Sequence, residues 1–251
     1  MADASDHALA ARVASDTGDM LVALLEDPAA NGRGWNSIEY TGDRSAHEFI
    51  MRELTRDRPD DIVLSEEGRD NRDRLDADRV WIVDPLDGSA DFGWSDHWSV
   101  HVALVENGKP TAGAVAVPGW DTTWATEPTP KPIMSRVGER PRILVSRSRR
   151  HIDGRLLSEG LGAEVMAVGS AGVKAMAVVR GEVDAYVHGG GLYEWDSCAP
   201  VAVAEAAGLV ACRLDGSELW FNKDDPWSPG LVICRPELAD GITGVMAGSM
   251  R

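Results

Sequence analysis

The segment Val80–Phe92, with the sequence VWIVDPLDGSADF, constrains the fold of this chain more than any other stretch. Its first four residues are apolar and uninterrupted by polar groups, which predicts a strand buried on both faces. We expect the strand to end at Asp84, because Pro85 has no amide hydrogen to donate to a strand ladder. Two carboxylates, those of Asp84 and Asp87, therefore follow a buried strand, and a Gly-Ser pair comes directly after them.

Two interpretations of this segment are open. Asp-Pro and Asp-Gly are common turn dipeptides, so the segment could be no more than the end of a core strand. Alternatively, the two carboxylates could bind a cation while the amide groups of Gly88 and Ser89 bind an anion, because glycine lets a backbone nest approach a ligand closely. Carboxylates supplied by other parts of the chain would favour the second interpretation.

The charge balance of the chain restricts what it can bind. Its 251 residues include 25 Lys and Arg against 41 Asp and Glu, a formal net charge of -16. We therefore expect neither nucleic acid nor an anionic membrane as a partner, because both require a basic surface. A phosphate substrate would also be repelled, unless bound divalent cations reversed the sign of the field locally.

The cysteines and the N-terminal sequence indicate a reducing, cytoplasmic location. Cys198, Cys212 and Cys234 lack CxxC or CxxH spacing, so neither a disulfide framework nor a structural zinc site is predicted. The opening MADASDHALA has no basic and apolar regions of the kind that form a signal peptide. No window approaches the roughly 20 apolar residues that cross a bilayer.

Further carboxylates lie at the ends of predicted elements. Asp43 stands at the start of a predicted helix, Glu66 and Glu67 follow a short predicted strand, and Asp196 opens another helix. Each has an ordinary explanation when taken alone, as a helix N-cap or as part of a solvated loop. Together they could converge on one polar pocket, where Mg²⁺ would neutralise their repulsion. Histidine and cysteine at ligand spacing are missing, which argues against zinc.

Two features of the second half of the chain suit anions. The segment Ser146–Arg150 is the only concentration of positive charge, and it is either a solvated loop or a second anion site. The small residues of Gly169–Gly172 lead into a predicted helix, as in loops that bind phosphate. Lys174 lies in the first turn of that helix, where a cation is unfavourable unless it serves a ligand.

The order of elements predicts a layered α/β architecture. A hairpin with a long turn over residues 106–110 and a charged, exposed connection over residues 71–78 are expected in the first half. Prolines at 128, 130 and 132 predict a lobe boundary. The expectation is an α+β lobe over residues 1–132 with most candidate metal ligands, and an α/β lobe over 133–251 with Asp196 and the substrate-specificity elements. His97 and His101 are not expected to bind metal.

In this order, the motifs resemble the Mg²⁺-dependent, lithium-sensitive phosphomonoesterases. That family includes inositol monophosphatases, fructose-1,6-bisphosphatases and 3′-phosphoadenosine 5′-phosphate phosphatases. The resemblance spans nearly the whole chain and implies a layered αβαβα sugar-phosphatase fold. It rests on Asp43, the Glu66-Glu67 pair, DPLDGS over residues 84–89, GSAGxK over residues 169–174, and Trp195-Asp196 followed by Ala199. Ser89 replaces the threonine usual in the family, and Tyr40 replaces a threonine that often precedes the first aspartate.

The resemblance implies a role for each matched residue. Two or three Mg²⁺ ions would be held by Glu66, Asp84, the Leu86 carbonyl, Asp87 and Asp196, with Glu67 helping to bind a third. Asp43 and Ser89 would orient and deprotonate the attacking water. The amides of Gly88 and Ser89 would hold the phosphate, with Ser170 as a further contact. We expect in-line attack by water without a covalent enzyme intermediate.

Substrate specificity is a finer question. The segments Val145–Arg149 and Tyr193–Pro200 are most similar to CysQ-type 3′-phosphoadenosine 5′-phosphate phosphatases of sulfur assimilation. The metals would then take the 3′-phosphate, and Arg149 or Lys174 the 5′-phosphate. Tyr193 and Trp195 would pack on the adenine or ribose unless they belong to the core, and Asp196 would also contact the substrate.

Alternatives to this nucleotide are open. Inositol monophosphate or a sugar bisphosphate could be the substrate of an enzyme with these motifs. A metal-binding homologue that has lost catalysis is an alternative of another class. A homodimer is compatible with the resemblance, although no interface can be identified from the sequence.

Overall fold

The structure is a computed structural model that describes residues 1–27, 35–131, 138, 140–149 and 152–248. Within those ranges no helix has the length and apolar character needed to cross a bilayer. The helices are α1 (Ala4–Glu26), α2 (Trp35–Asp57), α3 (Asp153–Leu161), α4 (Ala171–Val179), α5 (Glu194–Ala206) and α6 (Ala239–Gly248). The strands are β1 (Ile62–Ser65), β2 (Arg79–Asp87), β3 (Ser99–Glu106), β4 (Lys109–Val117), β5 (Thr122–Ala125), β6 (Arg142–Ser146), β7 (Glu164–Val168), β8 (Ala185–His188), β9 (Leu192–Tyr193), β10 (Val210–Cys212), β11 (Trp227–Ser228) and β12 (Leu231–Cys234).

The first sheet has the strand order β1-β2-β3-β4-β5. Its β1 and β2 run parallel, and each later pair is antiparallel. Every residue of β3 is buried, because helices cover both faces of the sheet. The ladder between β1 and β2 covers only Val80–Val83 of β2. Pro85 has no N–H to donate, but it lies beyond this ladder, so no hydrogen bond to β1 is lost.

The second sheet has the order β10-β12-β8-β6-β7, and a separate short ladder joins β9 to β11. Its β6 pairs in parallel with both β7 and β8, while β12 is antiparallel to β8 and to β10. The parallel pairs need crossover connections, which the helices supply. This is the alternation of strands and helices that the sequence predicts for the second half.

The helices and sheets form five layers in the order αβαβα, as predicted. Helices α1 and α2 cover one face of the first sheet, α4 and α5 lie between the two sheets, and α3 and α6 cover the far face of the second sheet. Helix α1 shows the reason for this packing. Its Leu9, Val13 and Leu21 recur at helical spacing and are at most 5% exposed. Burying each such side chain contributes about 1.5–3 kcal/mol.

Two local expectations are wrong, those for the β3–β4 turn and for the start of α2. The β3–β4 turn is not long: it consists of Asn107 and Gly108, both with positive φ, as in a type I′ turn. The connection 71–78 is exposed at six of its eight residues, as expected. It contains the short 3₁₀ helix Arg72–Asp76, in which Arg74 is fully buried and bonds Asp70 and the 222–224 segment. Helix α2 begins well before Asp43, which therefore lies inside the helix and not at its N-cap.

The division into two lobes stays a prediction. The proposed boundary at residue 132 falls outside the described residues. The strands before it form the first sheet, and those after it form the second sheet and the β9–β11 ladder. However, α5 from the second half packs on β2, β3 and β4 of the first sheet. The largest buried cluster accordingly contains residues of both halves.

Helix α4 approaches β3 so closely that Gly172 admits no side chain. A Cβ at Gly172 would overlap His101 Nε2 and the Ser99 hydroxyl, both buried. We predict that Gly172→Ala lowers the free energy of unfolding by about 1–3 kcal/mol, as overpacking does. Urea unfolding measures this, with Gly244→Ala as the matched control. Gly244 lies in α6 with open space around it, so there alanine should stabilise by up to about 1 kcal/mol. Equal effects at the two sites would contradict the close docking of α4.

Candidate active site

A bulge in β2 places Asp84 and Asp87 on the same face of the first sheet. In a regular strand, residues three apart point to opposite faces. Here Asp84 pairs with His101 of β3 while Asp87 pairs with Ser99, so three steps along β2 match two along β3. The extra residue turns Asp87 back toward Asp84. Strand β2 thus continues through Pro85, and the predicted end of the strand at Asp84 is wrong.

The carboxyl group of Asp84 is buried and only partly bonded. Asp84 is 1% exposed, and its Oδ1 accepts a hydrogen bond of 3.1 Å from the Leu86 amide. Its Oδ2 is buried with no hydrogen-bond partner among the described residues. Burial, together with the charges of Glu66 and Asp87, raises the pKa of Asp84 well above its usual range. A buried carboxylate oxygen without a donor is costly unless a cation compensates it.

Asp87 has the opposite environment, because the chain itself stabilises its anion. Its donors are the hydroxyls of Ser99 and Ser170 and the amides of Ala171 and Gly172, the two amides at 3.1 and 2.8 Å. His101 Nε2 lies 3.3 Å from Oδ2 of Asp87. Burial opposes ionisation, but His101 and the other donors outweigh it and hold the pKa of Asp87 well below its usual range.

Ser170 makes its hydrogen bonds within the protein. Its hydroxyl donates to Asp87 and accepts from the Val173 amide at 3.0 Å. The side chain is only 7% exposed. The one hydroxyl proton of Ser170 is therefore engaged in positioning Asp87 at the start of α4, and the contact with phosphate that the resemblance implies stays a prediction.

Asp196 reaches the same place from α5. It is the third residue of that helix, and Tyr193 precedes the helix as N-cap, so the alternative reading of Asp196 as an N-cap is wrong. Its Oδ2 accepts a hydrogen bond of 2.6 Å from the Tyr193 amide, which fixes the side chain against the first helical turn. Burial and the charge of Asp87 raise the pKa of Asp196 to about 6.

These three aspartates form a candidate metal centre. One carboxylate oxygen from each of Asp84, Asp87 and Asp196 lies within 4.8 Å of the other two. Oxygen-only donors suit a hard divalent cation, and the unpartnered Oδ2 of Asp84 supplies an oxygen that such a cation would satisfy. The residues present therefore fit a bound metal ion.

Glu66 and Glu67 follow β1 on the open side of this cluster. The Glu66 amide donates to the Val83 carbonyl at 3.4 Å, which anchors the turn beside β2. Partial burial and the charge of Asp196 raise the pKa of Glu66 to about 7, so this carboxyl group belongs electrostatically to the cluster. The charge of Glu67 raises the pKa of both Glu66 and Asp43.

Asp43 lies on the face of α2 that approaches these glutamates. Burial, followed by the charges of Glu67 and Glu66, raises the pKa of Asp43 to about 7. A carboxyl group with such a pKa is matched to accepting a proton near neutral pH. The structure thus brings Asp43 to the rim of the acidic cluster, although from the middle of a helix.

Gly88 gives the loop after β2 its shape. Its φ of 86° is left-handed, and a Cβ at this position would lie 2.7 Å from the His97 carbonyl oxygen. Ser89 then begins the short 3₁₀ turn Ser89–Asp91. A left-handed residue followed by a helical one presents successive amide groups to one side, the geometry of an anion-binding nest.

Lys174 does not line an open site. It is 3% exposed, and its ammonium donates to the carbonyls of Val168, Gly169 and Ser170. Burial lowers the pKa of Lys174 to about 8. Its three donors hold the loop that leads into α4, and the expected contact of Lys174 with a substrate phosphate stays a prediction.

The basic loop after β6 is partly engaged by the protein. Arg147 makes a bidentate ion pair with Asp91, at 2.8 and 2.6 Å, and so joins this loop to the turn that follows Gly88. Its side chain is half exposed. The side chain of Arg149 lies outside the described residues, as does Arg150, so the predicted contact of Arg149 with a second phosphate stays a prediction.

Aromatic side chains border the cluster on the side of α5. The rings of Tyr193 and Trp195 stack with centroids 4.7 Å apart. Trp227 pairs with Tyr193 across the β9–β11 ladder, and both residues are 46% exposed. Tyr193 therefore offers an open aromatic surface, while Trp195 is mostly covered.

Three contributors were not identified from the sequence: Ser99, His101 and Glu39. Ser99 and His101 lie two residues apart on β3, so both side chains project from the same face of the sheet and contact Asp87. The two-residue period of the strand could have identified them once Asp87 was placed on the neighbouring strand. The carboxylate of Glu39 accepts a hydrogen bond of 3.1 Å from the Ser89 hydroxyl. Glu39 lies one helical turn before Asp43. Because the predicted helix began at Asp43, Glu39 was not placed on the same helix face.

The raised pKa values predict how stability depends on pH without metal. Asp43 and Glu66 have pKa values of about 7 and Asp196 of about 6, against roughly 4 in an unfolded chain. Between these values the folded protein binds more protons, so its free energy of unfolding falls as pH rises. Thermal unfolding in EDTA between about pH 5 and 8 should show a falling Tm, and Asp43→Asn should flatten the fall. A Tm that rises across this range would contradict the arrangement.

Comparison with known proteins agrees with this geometry. The family model described as "Inositol monophosphatase family" matches residues 41–246. A 3′-phosphoadenosine 5′-phosphate phosphatase of Mycobacterium leprae is 41% identical, over 98% of this chain and 94% of that protein. The 3′(2′),5′-bisphosphate nucleotidase CysQ of Escherichia coli is 33% identical, over 79% of this chain and 85% of that one.

A solved structure extends the agreement to the fold. Inositol monophosphatase II of Staphylococcus aureus superposes with a TM-score of 0.82 at 20% identity, covering 96% of this chain and 95% of that chain. The αβαβα layers are thus those of this group of enzymes. The matched family model, the near-full-length relatives and the shared layers all lead to one assignment: the chain belongs to the inositol monophosphatase family.

Proposed function

We propose that this protein is a Mg²⁺-dependent phosphomonoesterase that removes the 3′-phosphate of 3′-phosphoadenosine 5′-phosphate, giving AMP and phosphate. The observation that carries the proposal is the convergence of Asp84, Asp87 and Asp196, with Oδ2 of Asp84 buried and unpartnered. The choice of this substrate is supported by relatives that carry this activity in their names and match over nearly the whole chain.

Two or three Mg²⁺ ions are proposed for the site. Glu66, Asp84 and the Leu86 carbonyl would hold one, and Asp84, Asp87 and Asp196 a second, with Glu67 assisting at a third. When bound, Mg²⁺ supplies Lewis acidity that makes water easier to deprotonate and offsets the negative charge of the phosphoryl group. It would also reverse the repulsion that a chain of net charge -16 exerts on a phosphate.

The chain's own groups position the reactants. The amides of Gly88 and Ser89 would hold the phosphoryl oxygens, and Asp43 and Ser89 would orient the water and take its proton. The pKa of Asp43, about 7, suits a general base at neutral pH. Hydrolysis of a phosphate monoester has so slow an uncatalysed rate that the site must remove ~20 kcal/mol of barrier.

The rest of the nucleotide would extend toward the second half of the chain. Tyr193 is half exposed beside Asp196, so its ring and that of Trp227 could pack on adenine or ribose, while Asp196 contacts the sugar. Arg149 is proposed to bind the 5′-phosphate, next to Arg147, which the protein holds in place through Asp91. We also propose that the protein is a homodimer and is located in the cytoplasm.

Replacing Asp84 tests the metal assignment. We predict that Asp84→Asn reduces Mg²⁺-dependent phosphate release by on the order of 10³-fold or more, because the variant would lose a carboxylate proposed to hold both ions. The same variant should be at least as stable as the wild type in EDTA, because one buried acid no longer repels its neighbours. Loss of activity with retained stability excludes misfolding, and unchanged turnover would refute the site.

A substrate panel tests the proposed specificity. Phosphate release is measured at equal concentrations of 3′-phosphoadenosine 5′-phosphate, inositol 1-phosphate and fructose 1,6-bisphosphate, with Mg²⁺ present and with EDTA as control. We expect the nucleotide to give the highest kcat/KM, because two separated anion sites and an aromatic surface fit it and not the others. Preference for inositol phosphate or the sugar bisphosphate would refute the substrate, and no release from any of them would refute the enzyme class.

A further inference from the structure

The hydroxyl of Ser89 has an acceptor that neither the motifs nor the family assignment would select. It donates to Oε1 of Glu39 at 3.1 Å. A serine hydroxyl has a single proton, so it serves one acceptor at a time. While Glu39 accepts that proton, the Ser89 hydroxyl does not donate to Asp43.

The packing of α2 makes this contact a feature of the fold. Glu39 and Asp43 are four residues apart, so their side chains project from the same face of the helix. Gly42, between them, is buried: a Cβ there would lie 2.8 Å from the Phe92 ring and 3.1 Å from Cδ2 of Leu86. The helix therefore rests directly on the segment that carries Ser89, and the two carboxylates stand one turn apart over it.

The electrostatics show that the two carboxylates share this space. The charge of Glu39 is one of the causes that raise the pKa of Asp43, after burial and the charges of Glu67 and Glu66. Two acids one helical turn apart repel each other, which is unfavourable for the helix. This arrangement is explained if the two carboxylates have separate roles beside the Ser89 hydroxyl.

We propose that Glu39 is a positioning residue that fixes the rotamer of Ser89, so that the lone pairs of Oγ face the substrate water while Asp43 acts on that water directly. The inference rests on the proposed function. Serine lacks the β-methyl group that makes threonine stiff about χ1, so its hydroxyl can adopt three staggered positions. A charged acceptor on a rigid helix selects one of them and supplies the restraint that the methyl group would otherwise provide.

A graded set of variants separates the acceptor from the charge of Glu39. Glu39→Leu removes the acceptor, and we expect kcat to fall about 10- to 100-fold with KM nearly unchanged. Glu39→Gln keeps a neutral acceptor and should restore most of kcat. Glu48→Leu is the matched control, because Glu48 lies on the same helix, is exposed and contacts only Arg44 among the described ion pairs. Its activity should equal that of the wild type.

Coupling to Ser89 distinguishes positioning from a general structural effect. In a Ser89→Ala background, Glu39→Leu should cost no further activity, because the hydroxyl that it positions is gone. In a Ser89→Thr background, the loss caused by Glu39→Leu should shrink, since the added methyl group restricts χ1. Additive losses with Ser89→Ala, full activity of Glu39→Leu, or failure of Glu39→Gln to restore kcat would each overturn the proposal.

Two measurements that do not require catalysis test the role of Glu39 separately from the proposed function. Calorimetric titration with Mg²⁺ should give the same affinity for Glu39→Leu and the wild type, because Glu39 is not among the proposed ligands. Urea unfolding of the cycle formed by Glu39→Leu and Ser89→Ala should show a non-zero coupling free energy. If the wild type releases no phosphate from any substrate, the proposed function fails. The coupling free energy would still show whether Glu39 and Ser89 interact. Zero coupling would overturn the contact itself.

Discussion

Repulsion among buried carboxylates is the constraint on which the rest of the structure depends. Asp84, Asp87 and Asp196 meet within 4.8 Å, where water can no longer screen them. The fold gives these carboxylates different numbers of hydrogen-bond donors. Asp87 receives four donors and the proximity of His101, and is held as an anion. Asp84 receives one amide and keeps a bare oxygen. One acid is thus compensated by protein, and the other is left for a cation.

Compensating Asp87 also determines how the two sheets meet. Its donors come from β3 of the first sheet and from the first turn of α4, which lies between the sheets. The turn can approach only because position 172 is glycine. Lys174 then ties the preceding loop to itself through three carbonyl groups. A polar interaction in the site therefore sets the packing of the central helix, so stability and function share the same residues.

Hydrophobic periodicity and carboxylates at strand ends are local signals, and they allowed most strands, a layered α/β architecture and the converging acids to be predicted. The five-layer order was implied by the family resemblance. The sequence does not reveal side-chain partners that are distant along the chain. Lys174 and Ser170 lie in a small-residue loop of the kind that binds phosphate, and in the structure they stabilise an acid more than eighty residues away. Asp43 lies at the edge of an apolar helical period, where a carboxylate is typical of an N-cap. The N-cap reading failed because the helix begins earlier, at Trp35.

The bulge in β2 explains why a strand with a proline can carry the centre of a site. A one-residue insertion bends a strand and reverses the face of every later side chain. Pro85 is tolerated there because the neighbouring β1 has already ended. The reversal brings Asp87 beside Asp84, and the next residues, Gly88 and Ser89, turn away from the sheet toward α2. The proposed cation ligands, the proposed anion nest and the hydroxyl that donates to Glu39 therefore all depend on one irregularity in the backbone.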